Sequence, residues 1–130
     1  MFLKYLIIGV ISAALIHLLM SASCWDNLVN PKKDDVEQRI QESLSKVEEA
    51  FLSGDTTQLK SVLTPTAQKF YSQDFKNIHE IMGKIGNAMK ERKISLRTEN
   101  YAEITVNYEG NEFIMTLALQ DDDSWKLIRF

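Results

Sequence analysis

Few residues of this sequence could do chemistry. Two histidines are present, and only His79 lies beyond residue 23. A histidine acts as general acid or base when a hydrogen-bonding partner holds it near the reacting proton. Glu80 is adjacent and points elsewhere on a helix. Asp74 is five residues back, outside the i, i+3 and i, i+4 spacings that bring side chains together. On the helical wheel His79 lies about 80° from the centre of its helix's apolar stripe. The run Asp121-Asp122-Asp123 has carboxylates, but a calcium loop spreads six or more oxygens over alternating positions around a turning glycine. Three consecutive aspartates before Ser124 read as a solvated turn. Tyr71, Tyr101, Tyr108 and Trp125 combine aromatic surface with a polar tip, the kind of side chain that lines pockets. No catalytic constellation, metal spacing, phosphate loop or cofactor motif follows from these residues, so the sequence implies no cofactor.

Composition narrows the classes further. The chain has 130 residues, 45% hydrophobic and 25% charged, enough for one small globular domain. Beyond residue 23 there are 14 basic and 18 acidic residues, a net charge of −4. That opposes nucleic-acid binding, which needs a basic stripe against phosphates. The single cysteine, Cys24, excludes an internal disulfide and a cysteine-built zinc site.

The first 23 residues, MFLKYLIIGVISAALIHLLMSAS, hold one base, Lys4, and then an apolar run from Tyr5 to Met20. This reads as a signal peptide or membrane anchor, with the rest of the chain exported. Ser21-Ala22-Ser23 followed at once by Cys24 resembles a bacterial lipobox, in which the cysteine takes the lipid. The family's preferred leucine three places before the cysteine is replaced by Ser21. Lipidation at Cys24, an uncleaved single span and ordinary secretory cleavage are the three readings. The first two tether the protein to the membrane, on the outer side of the bacterial inner membrane or on the outer membrane.

Three segments follow: 1–23 as leader or anchor, 24–33 as tether, 34–130 as folded domain. Asp34 and Glu37 have capping-box spacing. Val36, Ile40, Leu44, Val47 and Phe51 make one helical face, and Gly54 ends that helix. Asp55 opens a short helix carrying Leu59, Val62 and Leu63. Thr64-Pro65 is an N-cap with proline at the first helical position. Phe75, Ile78, Met82, Ile85 and Met89 form a second stripe, predicting one helix with Gly83 and Gly86 inside it.

After Lys93 the apolar period changes to two. Gly110-Asn111 reads as a two-residue hairpin turn. It pairs Tyr108 with Phe113, Val106 with Met115, Ile104 with Leu117 and Ala102 with Leu119. Across the aspartate turn, Leu119 pairs with Trp125 and Leu117 with Leu127. Ile114, Ala118, Ile128 and Phe130 then share the sheet's outer face, a candidate dimer or partner interface. The fold class is α+β: helices first, then packed on one antiparallel sheet of about four strands.

The phrase Ala50-Phe51-Leu52-Ser53-Gly54-Asp55 with Leu59 and Val62-Leu63, and the ending Asp123-Ser124-Trp125-Lys126-Leu127, resemble the nuclear-transport-factor-two-like superfamily with its cystatin-like roll. The resemblance spans residues 34–130. It implies a curved sheet forming a cone around the helices. Tyr71, Phe75, His79, Met82, Val106, Met115 and Trp125 are the expected pocket-lining residues. A fold of this kind does not fix function. The expectation is a membrane-tethered, non-catalytic binding or assembly domain. It would engage a second copy, an envelope protein partner or a small hydrophobic ligand. The alternatives are a cavity enzyme of isomerase or dehydratase type using His79, and a single-span subunit of a secretion-type envelope complex.

Overall fold

The structure is a computed structural model describing residues 31–130; the side chains of 31–34 lie outside the description. Lys4, Cys24 and the leader therefore lie outside the described residues. Val36–Phe130 forms one compact unit. No helix among the described residues is long and apolar enough to cross a membrane.

Helix α1 runs Pro31–Ser53. It begins three residues before the expected Asp34, so 31–33 are helical. Proline is well tolerated at a helix's first position, where its missing N–H costs no hydrogen bond. The helix ends at Gly54, whose φ of 67° suits a residue without Cβ. Helix α2, Thr56–Val62, follows directly. The Asp55 carboxylate caps it, accepting from Thr57 N at 2.7 Å. Helix α3 is Pro65–Phe70, capped by Thr64 Oγ1 accepting from Ala67 N at 3.2 Å.

The expected long helix over Phe75–Met89 is broken. Helix α4 spans Phe75–Ile78 and helix α5 Met82–Ala88, with single 3₁₀ turns at Tyr71–Gln73 and Met89–Glu91. Ile81 N donates to Ile78 O at 2.9 Å, a tight turn between α4 and α5. The stripe survives the break: Phe75, Met82, Ile85 and Met89 are all buried. Gly86 explains part of the geometry. A Cβ there would lie 2.8 Å from Leu52 Cγ and from the Leu52 backbone nitrogen. Glycine thus lets α5 cross α1 in close contact.

The sheet is a four-stranded antiparallel meander, β1-β2-β3-β4. β1 is Lys93–Arg97, β2 Tyr101–Tyr108, β3 Asn111–Leu119 and β4 Trp125–Arg129. The sheet is open, with β1 and β4 at its edges. Ile40, Leu44, Phe51, Leu59 and Leu63 of the helical layer meet Ala102, Ile104, Val106, Met115, Leu117 and Leu127 of the sheet in one core.

The β2–β3 register differs by two residues from the expected one. Tyr108 pairs with Asn111, Val106 with Phe113, Ile104 with Met115 and Ala102 with Leu117. The turn is Glu109-Gly110, with φ of 52° and 79°. Two successive positive φ values mark a type I′ hairpin turn, whose twist matches the strands. An even shift preserves the faces, so Ile104, Val106, Met115 and Leu117 still point inward and are fully buried. On the β4 side, Leu119 pairs with Trp125 and Leu117 with Leu127 as expected.

Both edges are interrupted. The β1–β2 ladder carries an irregularity between Ile94 and Leu96. At β4, Leu63 bridges Leu127, and Thr64 N donates to Leu127 O at 3.0 Å.

Candidate functional site

The meander defines two ends of the molecule. Arg97, Tyr101, Leu119 and Trp125 lie at one; Lys93, Tyr108, Asn111 and Phe130 at the other. Helix α1 spans them. Near its start, Glu37 Oε2 accepts from Arg97 Nη1 at 2.5 Å, and Arg39 donates to the Asp123 carbonyl and faces its carboxylate. Fourteen residues on, about 21 Å along the helix axis, Phe51 meets Phe130 edge-on at 5.4 Å between ring centroids.

The Phe130 end holds a chain of aromatic rings. Phe70 stands edge-on to Tyr71 at 5.0 Å, and Tyr71 lies 4.3 Å from Phe130. The Tyr71 hydroxyl accepts from Phe130 N at 3.2 Å and stands 3.1 Å from Phe130 O, to which it donates. One side chain therefore satisfies both backbone groups of that residue. Tyr71 separates two open apolar grooves. One, of about 530 Å³, runs between Pro65, Phe70 and Ile128, with Arg129 on its rim. The other, of about 400 Å³, is formed with Ile78, Ile81, Ile85, Phe113 and Phe130, with Asp74 on its rim. Phe70 is 75% exposed, the most exposed of the large apolar side chains among the described residues.

The opposite end is polar. A groove of about 270 Å³ lies among Arg39, Glu42, Ser43 and Lys46 of α1, Ser61 of α2, and Ser124, Trp125 and Lys126. Trp125 is buried, and its Nε1 has no hydrogen-bond partner. The adjoining aspartate turn is self-contained. Asp122 Oδ1 accepts from Ser124 N at 3.1 Å and from Ser124 Oγ at 2.5 Å. These bonds to Ser124 hold the Asp122 carboxyl below its ordinary pKa, and Lys126 lowers it further. Asp123 takes a φ of 63°, the left-handed conformation that aspartate tolerates in turns. No group of three or more metal-ligating side chains converges among the described residues.

The expected pocket residues part company. Phe75, Met82, Val106 and Met115 are core residues with at most 6% exposure, and none of them lines the grooves described above. Only Tyr71 borders the apolar grooves, while Trp125 borders the polar one at the other end. His79 is exposed. Its Nδ1 lies 2.8 Å from Gly54 O, joining the α4–α5 turn to the end of α1. Among the described residues it has no carboxylate or tyrosine partner. Tyr101 donates to Glu103 Oε1 at 2.8 Å.

The outer-face group is also divided. Ile114 and Ile128 are exposed there, and Ala118 is half-buried. Phe130 is not on that face. Between Thr116 and Leu117 the β3–β4 register shifts, and Thr116 pairs with Arg129 rather than with Ile128. This bulge adds one residue to β4 and reverses the parity beyond Leu127, turning Phe130 toward Phe51 and Tyr71. The remaining outer face is interrupted by polar neighbours: Ile114 pairs with Thr105, and Ala118 with Lys126.

Sequence reasoning thus missed Phe70, Ile81 and Phe113 as surface-groove residues. A signal was present for Phe70: it follows Lys69 at the end of a six-residue helix, too short to bury every apolar side chain. Comparisons with protein families, with curated proteins and with solved structures gave no match.

Proposed function

We propose that this chain is an exported, membrane-tethered, non-catalytic assembly domain that docks a protein partner through the apolar surface around Tyr71. The carrying observation is the contrast between a filled interior and open apolar grooves. Phe75, Met82, Val106 and Met115 occupy the centre of the domain, whereas Phe70, Ile81, Ile128 and the grooves beside Tyr71 face solvent. Contiguous exposed apolar surface is what partner sites present. In this reading the domain is a nuclear-transport-factor-two-like roll whose cone is filled by side chains. The helix-then-meander order, the Gly54-Asp55 break and the Trp125-Lys126-Leu127 strand support that kinship.

The tether rests on the sequence. Cys24 is the site of lipid attachment, on the outer side of the inner membrane or on the outer membrane. Several acyl chains on one cysteine supply the stable anchoring that a single chain does not. The compact unit itself begins at Val36.

Two measurements test this. Metabolic labelling with a fatty-acid analogue should tag the protein and lose the tag in Cys24→Ser; an untagged, full-length membrane protein would instead be a single-span anchor. A photo-crosslinking residue at Phe70 in the full-length chain should give a discrete protein adduct in intact cells, and one at exposed Thr57 should not. Absence of an adduct from Phe70 removes the docking surface.

A further inference from the structure

We propose that the partner on this surface is a second copy of the chain, each copy placing Phe70 in the Ile78–Ile81–Phe113 groove of the other. The inference rests on the docking role assigned to that surface above. A two-fold interface is made by one patch facing itself, so a projecting side chain and the cavity that receives it must lie on the same patch. Here they do. Phe70 projects on one side of Tyr71, and the groove of about 400 Å³ opens on the other. Both adjoin the Tyr71 ring, so a two-fold axis passing near Tyr71 would carry each Phe70 over the opposite groove. A phenyl ring fits that volume, and the groove's walls are mostly aliphatic and aromatic, with Asn77 and Asp74 the polar exceptions.

Charge favours the same occupant. Lys69 precedes Phe70, and Arg129 lines the groove that Phe70 borders. Asp74 is the charged residue of the receiving groove. The ion pairs among the described residues are Arg39–Asp123, Lys84–Glu109, Arg92–Glu48 and Arg97–Glu37. Lys69, Asp74 and Arg129 belong to none of them. A uniformly acidic partner would meet Lys69 and Arg129 but repel Asp74, and a basic partner would do the reverse. A second copy brings a basic rim to Asp74 and an acidic rim to Lys69 and Arg129 at once. Complementary rims of this kind set the register of an interface.

The test uses the full-length chain in mild detergent, its mass measured by sedimentation over a dilution series. The wild type should be dimeric. Phe70→Asp should weaken the dimer by about thirty-fold or more, the size expected for a central aromatic anchor. Asp74→Arg should weaken it through like-charge contact, and the double variant Asp74→Arg, Arg129→Asp should restore it. These side chains lie at the surface, and circular dichroism verifies that each variant folds. A monomeric wild type, an undiminished Phe70→Asp dimer or a double variant that stays dissociated would each overturn the proposal. The mass of the Phe70 crosslinking adduct separates this inference from the one beneath it. An adduct of twice the chain mass supports the second copy. An adduct of another mass overturns it and leaves the docking surface standing.

Discussion

The two ends of this domain solve the same problem with different chemistry. At the Arg97–Trp125 end, strand ends and helix start are joined by charge: Glu37 to Arg97 and Arg39 to Asp123. At the Tyr108–Phe130 end the ion pairs Arg92–Glu48 and Lys84–Glu109 are joined by something that the other end lacks among the described residues, a chain of aromatic rings: Phe51, Phe130, Tyr71 and Phe70. Exposed ion pairs contribute little stability because water and salt screen them and long side chains lose entropy. Buried apolar contact contributes more, but it leaves apolar surface wherever packing stops. The end held more strongly is therefore also the end with surface left to bury.

Gly86→Ala should produce the largest change. It presses a methyl against the Leu52 backbone, which cannot rotate away. Overpacking of this kind costs about 1–3 kcal/mol, measurable by urea denaturation. If the variant were neutral, the close crossing of α1 and α5 would not hold up the apolar end. Tyr71→Phe comes next. It keeps the ring contacts and leaves Phe130 N and O without their hydroxyl partner, at a cost of about 1–2 kcal/mol. Arg39→Ala at the polar end should cost less than about 1 kcal/mol and lose that cost in high salt. Equal losses at the two positions would abolish the distinction between the ends.

The smallest effect concerns pH. The Asp122 carboxyl titrates below its ordinary value when folded, chiefly through its hydrogen bonds with Ser124. Its contribution to stability is therefore present above the unfolded-state pKa and is lost as pH falls through the lower folded-state pKa. Ser124→Ala should move the Asp122 pKa up toward 3.8, followed by the carboxyl carbon resonance, and should flatten that part of the acid limb. An unmoved resonance would mean that the turn is not organised by Ser124.

What the sequence revealed, and what it hid, follows from period and parity. The apolar stripes of α1 and of Phe75–Met89 were legible because burial imposes their spacing. So was the pairing of Trp125 with Leu119. The hairpin was mis-set by two residues because Gly110-Asn111 looks like a turn by composition. The chain instead places Glu109 in the left-handed region, an uncommon choice for a residue with a Cβ. The faces nevertheless came out right, since an even shift conserves them. Phe130 did not, because the bulge between Thr116 and Leu117 reverses parity and no residue type announces it. The apolar grooves beside Tyr71 were hidden for a related reason. Phe70 and Phe113 carry the same letter as a core residue, and only the lengths of α3 and β3 decide which of them the core can hold.

The treatment of the sheet's margins limits how copies of this molecule can combine. Leu63 and Thr64 lie along β4 and take the Leu127 carbonyl, and Pro65 just beyond has no N–H to offer a newcomer. On the other side, the irregularity between Ile94 and Leu96 breaks the regular ladder, flanked by Lys93 and Arg97. Neither margin is a long flat template for another strand. Growth by strand addition, the open-ended kind that yields fibres, is thus discouraged on both sides. Association is left to side chains, and the two-fold pair proposed above would close on itself and stop.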